Sequence, residues 1–284
     1  MEQILWPNQA KCAVMFTFDL DGDTTWISGN RDYANGDKFI RSTSIGQYGP
    51  NRGVYTILNL LAKYHVPATF FVPGKIAETY PEVIRQIDAE GHEIGHHGYT
   101  HERFFDKTVK EQIEIIEKSQ KIYTDIIGKP ASGFRTPSGD WSVETPYLLH
   151  QMGFSYSSSM RGDDRPYRTI LNEVETDFIE VPTRWELDDY VATAYNMFPA
   201  EPVGQDRIAG YKGVLDNFKR EFDGYYRFGL CCVFMMHPQV SGTPGRSQLL
   251  EKLLQHVTAY QDVWCARGEE VANWWRTTYP KEKV

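Results

Sequence analysis

Long hydrophobic runs are missing from this 284-residue chain: no apolar stretch approaches the ~20 residues that span a bilayer. The opening segment Met1-Glu2-Gln3-Ile4-Leu5-Trp6-Pro7 also lacks the basic and then apolar regions of a secretory leader. A cytoplasmic protein without membrane contact is therefore expected. Blocks of basic residues are absent too, and 30 Lys and Arg stand against 38 Asp and Glu, for a formal charge of −8. Such a surface offers no electrostatic footprint for a phosphate backbone, which argues against nucleic acid as a partner. Cysteine is scarce. Of Cys12, Cys231, Cys232 and Cys265, three lie in apolar runs, which reads as reduced core thiols and not as a disulfide frame. No internal repeat or low-complexity tract interrupts the chain. Its 41% hydrophobic content suffices for one large core, so a single domain over 1–284 is expected.

What is present is alternation. Short apolar runs at Ala13–Phe18, Ala68–Val72, around Ile94, Gly133–Arg135, Phe154–Ser157, Phe178–Val181, Leu230–Met236 and Val263–Cys265 read as strands. Between them, amphipathic stretches at Val54–Tyr64, Pro81–Glu90, Thr108–Ile127, Val143–Met152, Tyr211–Tyr226, Gln248–Tyr260 and Glu269–Thr277 read as helices. Repeated strand–helix alternation implies a parallel sheet covered by helices, an α/β fold that is either doubly wound or a barrel. In both, ligands bind at the carboxyl ends of the strands. Two stretches, Gly22–Arg52 and Arg161–Asp177, break the pattern and read as long loops able to close over a strand-end site.

Polar chemistry collects at these strand ends. Asp19-Leu20-Asp21 follows the first run, and in extended chain the period of two puts both carboxylates on one face with Leu20 in the core. Two adjacent acids repel unless a cation or a shared proton separates them, which suggests a metal with one ligand and one neighbouring base. Read alone, the pair fits better as acids solvated at a strand end or capping the next turn. Four of the eight histidines fall in Gly91–Glu102. His97 and His101, four apart, can converge on one cation, and Asp21 can complete an Asp/His/His set suited to zinc, cobalt or iron. His92 and His96 read as structural. Further on, Arg135 can brace a carboxylate at a strand end, and His237, following a buried strand, can donate a proton to a leaving amine. Taken singly, these two also fit a surface ion pair and a strand-terminating residue before Pro238.

Together, Asp19-Leu20-Asp21, His97–His101, Phe134–Trp141, Val181–Asp189 and Phe234–Pro238 resemble the five ordered motifs of the polysaccharide deacetylase family. The resemblance spans nearly the whole chain. It implies a distorted (β/α) barrel of about seven parallel strands. It further implies a base at Asp19, metal ligands at Asp21, His97 and His101, and an arginine steadying the base at Arg135. A pocket wall falls at Trp185 with Asp188 or Asp189, and the closing Leu-x-His motif on Met235-Met236-His237.

Departures from the extracellular members are informative. Leu20 separates aspartates that are adjacent there, the insert Gly22–Arg52 follows, and Met235 replaces leucine. The chain looks instead like a cytoplasmic subgroup of peptidoglycan deacetylase-like proteins and ring-opening amidases of cyclic imides and allantoin. Those relatives share segments similar to Ser44–Gly49 and Met160–Tyr167 and are commonly oligomeric, so a homo-oligomer, dimer or tetramer, is expected. The resulting expectation is a hydrolase of a non-peptide amide C–N bond using a divalent metal, zinc first and cobalt or iron as alternatives. A small amide or cyclic imide is the expected substrate, in a pocket that Tyr48, Trp26, Arg161 and Tyr167 help to close. An acetamido sugar of a peptidoglycan or chitin-type glycan is the alternative, and an inactive ligand-binding relative the non-enzyme one.

Overall fold

Eight consecutive residues, Cys12–Asp19, form the buried central strand β1 of the computed structural model, which describes residues 4–29, 38–194 and 209–281. Alternation along β1 sorts its side chains onto two faces. Val14, Phe16 and Phe18 pack outward with Ile57, Leu61, Phe218 and Leu250 of the covering helices. Ala13 and Met15 point the other way, against Phe71, Tyr156, Val233 and Val271. Asp19 is in phase with this second, interior face, so its carboxylate enters the barrel mouth because β1 stays extended to its last residue.

The other strands are β2 (Ala68–Val72), β3 (Glu93–His96), β4 (Gly133–Phe134), β5 (Tyr156–Ser157), β6 (Tyr167–Leu171), β7 (Val174–Glu180), β8 (Cys231–Met236) and β9 (Val263–Cys265). Their order is β6-β7-β5-β4-β3-β2-β1-β8, with β9 paired to the first residues of β1. Every pairing is parallel except the β6–β7 hairpin. The sheet curls into a half-barrel, the expected distorted (β/α) barrel, with nine strands among the described residues where about seven were expected. Register aligns the strand ends: Asp19 pairs with Phe71, Val72 with His96, and Phe18 with Met236. One rim thus receives the residues that follow β1, β3, β4 and β8.

The helices obey local chemistry. Val109–Ile127 starts on a capping box, in which Thr108 accepts from the Glu111 backbone while the Glu111 side chain binds the Thr108 backbone, and stops at Gly128 with φ +76°. Two expectations are corrected. Within Gly22–Arg52, Thr24–Gly29 and Ile40–Tyr48 are helical and Gly49–Gly53 forms a π-type turn running into the helix Val54–Tyr64; residues 30–37 lie outside the described set. Arg161–Asp177 is not a loop throughout, because β6 and most of β7 form a hairpin there. Its burial comes from afar: Arg168 donates to the carbonyls of Arg276 and Tyr279 at the end of the last helix. All four cysteines are free. Among the described residues no helix is long and apolar enough to cross a membrane.

Candidate active site

A cavity of about 650 Å³ opens at the rim where the strands end. Between the two acids, Leu20 is fully buried in the core and its N–H donates to the Phe71 carbonyl at 2.8 Å, which holds the chain straight enough for Asp19 and Asp21 to share the cavity. Arg135 follows β4 and is 2% exposed. Its Nη1 donates to Asp19 Oδ1 and Thr17 Oγ1, both at 2.8 Å, while Nε and Nη2 donate to the carbonyl and hydroxyl of Ser158, both at 2.9 Å. The guanidinium also lies 4.2 Å from the centre of the Phe71 ring. Asp19 is therefore clamped through Oδ1, and Oδ2 faces the cavity, 4.0 Å from His97 Nε2 and from His237 Nε2.

His97 and His101 come from a short loop after β3. His97 Nδ1 lies 2.8 Å from the Arg135 carbonyl, which can only accept, so the ring proton sits on Nδ1 and the Nε2 lone pair faces Asp21. His97 Nε2 and His101 Nε2 lie 3.4 and 3.7 Å from Asp21 Oδ1. That oxygen is buried without a hydrogen-bond partner. Leaving a buried carboxylate oxygen bare is costly, and two imidazole lone pairs aimed at the same point make a cation the natural partner. Asp21, His97 and His101 are thus able to hold a metal ion.

The electrostatics agree. Burial lowers the His101 pKa to about 4, which keeps its imidazole neutral and ligand-ready. Burial opposes the charge on Asp21, yet the surrounding imidazoles of His101, His97 and His237 hold its carboxyl well below the usual range. His97 is raised, because Asp19 and Asp21 outweigh its burial. A carboxylate-rich hole that pulls protons onto its neighbours is one that a divalent ion would neutralise.

The loop itself is stapled by Glu102, whose carboxylate accepts from the Tyr99 and Thr100 backbone N–H groups and from the Thr100 hydroxyl, each at 2.8 Å. Gly98 adopts φ +72°, and a Cβ there would come within 2.7 Å of Glu102 Oε2; His101 itself holds φ +61°, a conformation costly for a side-chain-bearing residue. His96 accepts from Gly98 N–H at 3.1 Å and sits buried among aromatic rings, a structural role as expected from the sequence. His92 likewise accepts from the Ala68 N–H.

Across the cavity, His237 follows β8. Its Nδ1 is 2.7 Å from Asp189 Oδ1, and Asp189 also receives the His237 backbone N–H at 3.1 Å and the Ser241 hydroxyl. Burial alone would lower the His237 pKa, but the hydrogen bond and charge of Asp189, with Asp21 and Asp188, raise it to about 10. Asp188 goes up to about 7 through burial, tempered by His237.

Arg161, Trp185 and Asp188 line the cavity, whereas Asp189 stands behind His237. Tyr48 and Tyr167 are corrections. The helix Ile40–Tyr48 carries the Tyr48 hydroxyl to the Gly242 carbonyl, at 3.5 Å, and Tyr167 pairs with Glu180 in the β6–β7 hairpin, so neither lines the cavity. Trp26 is buried against Tyr190, and it is the neighbouring Thr25 that reaches the cavity. Sequence reasoning missed Tyr190, whose ring stands 5.1 Å from that of His237, and Gln239, whose Nε2 donates to Asp21 Oδ2 at 3.4 Å. Gln239 lies two residues past His237, a spacing that carries no recognisable signal.

A family model described as Polysaccharide deacetylase matches residues 47–157. A peptidoglycan deacetylase of Helicobacter pylori is 29% identical over 294 aligned positions, covering 95% of this chain and 98% of that protein. A solved structure described as a "putative polysaccharide deacetylase from Mycobacterium smegmatis" is 32% identical with a TM-score of 0.90, covering 100% of this chain and 96% of that one. The Puue allantoinase, 23% identical with a TM-score of 0.82 over 98% of this chain and 94% of that one, shares the fold.

Proposed function

The chain belongs to the polysaccharide deacetylase family, hydrolases of carbon–nitrogen bonds other than peptide bonds, and from that premise we propose that it hydrolyses a small amide or cyclic imide. The observation that carries the chemistry is the bare Asp21 Oδ1 facing two imidazole nitrogens at 3.4 and 3.7 Å. One carboxylate and two imidazoles form a donor set that suits zinc, with cobalt or iron as alternatives. A divalent ion held there supplies Lewis acidity toward the substrate carbonyl and lowers the pKa of water.

The remaining work falls to the chain's own groups. Asp19 Oδ2, turned into the cavity while Arg135 holds Oδ1, takes the proton of the attacking water. His237, protonated well above neutrality and held through Nδ1 by Asp189, presents Nε2–H to the departing nitrogen. An amide nitrogen leaves poorly unless protonated, so this donor decides whether the tetrahedral adduct goes forward. Residues 1–284 act as one catalytic domain in this scheme.

The size of the cavity supports the small substrate: about 650 Å³ falls in the range of sites that enclose small molecules, roughly 300–1,000 Å³. A second reading, an acetamido sugar, is favoured by the full-length likeness to a protein named a peptidoglycan deacetylase. A panel on metal-loaded protein separates them, setting succinimide, allantoin and dihydrouracil against N-acetylglucosamine oligomers. Turnover of the cyclic compounds alone is the expected result, and turnover of the oligomers alone would overturn the small-substrate reading.

A further inference from the structure

Among the described residues, the cavity contains one cation without a counter-ion. Arg135 is paired with Asp19, and His237 with Asp189. Arg161 lies on the facing wall, and among the described residues no carboxylate comes within ion-pair distance of it. Among the described residues its only side-chain hydrogen bond runs from Nη1 to the Ser159 carbonyl at 3.3 Å, and its Nε is buried with no partner. The guanidinium carbon lies 3.9 Å from the centre of the Trp185 ring, a cation–π contact.

The backbone beneath Arg161 is prepared in advance. Buried Glu180 accepts from the N–H groups of Ser159 and Met160 at 2.6 and 2.8 Å, and the Thr183 N–H donates to the Met160 carbonyl at 2.9 Å. A half-buried arginine pays for desolvation, which lowers its pKa, while Asp188 and Asp140 offset this only from a distance. An unpaired donor on a cavity-lining guanidinium seated against an aromatic ring is recognition machinery for a group that is not protein.

We propose that Arg161, seated against Trp185, is a specificity-determining residue that binds a carboxylate on the substrate, so that the preferred amide is an anionic one. The inference rests on the amide-hydrolase reading above. A carboxylate matches the fork of the guanidinium, and the same chemistry is available on a ring amide or on an acidic acetamido sugar.

Two pairs, each a neutral amide and its acidic counterpart, test it on the metal-loaded full chain: dihydrouracil with dihydroorotate, which adds a carboxylate to the ring, and N-acetylglucosamine with N-acetylmuramic acid, which adds a lactyl ether that bears one. The pair that is turned over identifies the source. In that pair the wild type should prefer the acid, and R161Q should lower its kcat/KM about 10- to 100-fold more than that of the neutral partner, chiefly through KM. R161K, which keeps charge but not the fork, should fall between. Equal losses on both members, or a wild-type preference for the neutral one, would overturn the assignment. Calorimetric titration with the same four compounds answers without turnover. If neither pair is hydrolysed, the hydrolase reading fails for them, yet tighter binding of the acids that disappears in R161Q still supports the arginine, and equal binding still refutes it.

Discussion

Replacing Asp189 by Asn tests the electrostatic core of the proposed mechanism, because it removes one charge and keeps nearly the same shape. Asp189 Oδ1 sits 2.7 Å from His237 Nδ1, and its other oxygen takes the His237 backbone N–H and the Ser241 hydroxyl. Burial works against a charged imidazole, so the pKa of about 10 depends chiefly on this carboxylate. A folded value near 10 against an ordinary 6.5 corresponds to roughly 5 kcal/mol of preference for the protonated form. Because the folded value is raised, that stability is fully present below pH 6.5 and is lost as pH rises through 10. Breaking a buried charged pair costs about 3–5 kcal/mol, so D189N should be destabilised by that order at pH 6, and the gap from wild type should narrow by pH 10. NMR titration of the His237 ring in metal-free protein should show its midpoint falling by two or more pH units, and urea unfolding at the two pH values should give the converging stabilities. An unmoved midpoint, or a destabilisation equal at pH 6 and pH 10, would refute the reasoning.

D19N should bind metal as the wild type does while its kcat falls by about 10² to 10⁴, since the acceptor of the water's proton is gone; metal stoichiometry and steady-state rates check both halves. G98A forces a Cβ to within 2.7 Å of Glu102 Oε2 at φ +72°, so the loop carrying His97 and His101 should shift and metal affinity should drop by about 10-fold or more in competition with a chelator. Burial, reinforced by Glu269, raises Glu93 to about 7, so its contribution to stability is full below pH 4.5 and is lost as pH rises through 7. E93Q cannot ionise, and its stability should change less between pH 5 and pH 8 by about 2–3 kcal/mol, read from urea unfolding; parallel curves would remove Glu93 from that account.

Much of this arrangement is legible from residue type and spacing. β1 announces itself by an unbroken apolar run that ends in Asp19, and the helix Val109–Ile127 by Thr108, Glu111 and Gly128 at its ends. Asp21, His97 and His101 stand out because few structural roles require three such side chains at strand ends, and the structure brings their atoms together. The hairpin β6–β7 is hidden because its strands carry Arg168, Thr169, Glu175 and Asp177, and Arg168 is buried by carbonyls more than 100 residues away. Long-range satisfaction of a polar group leaves no local pattern. Tyr48 and Tyr167 misled for a related reason: a tyrosine near a strand-end segment can face either way, and the direction is set by the helix or hairpin it sits on. Glu102, Gln239 and Tyr190 escaped notice because their importance depends on how the chain turns and not on what precedes or follows them.

Asp19 and Asp21 show how identical side chains two residues apart acquire different proposed tasks. Arg135 is fixed by four hydrogen bonds, so Asp19 has a guanidinium partner held in place, and one oxygen remains to handle a proton. Asp21 has no such partner. Its neighbours are imidazoles, which can surrender their protons and offer lone pairs, and one of its oxygens is left bare between them. A cation entering the cavity would meet an uncompensated carboxylate at Asp21 and an already compensated one at Asp19, and the Coulomb preference for the former follows from the arginine alone. The division of labour between the two acids is thus encoded 116 residues downstream of Asp19, in the residue that follows β4.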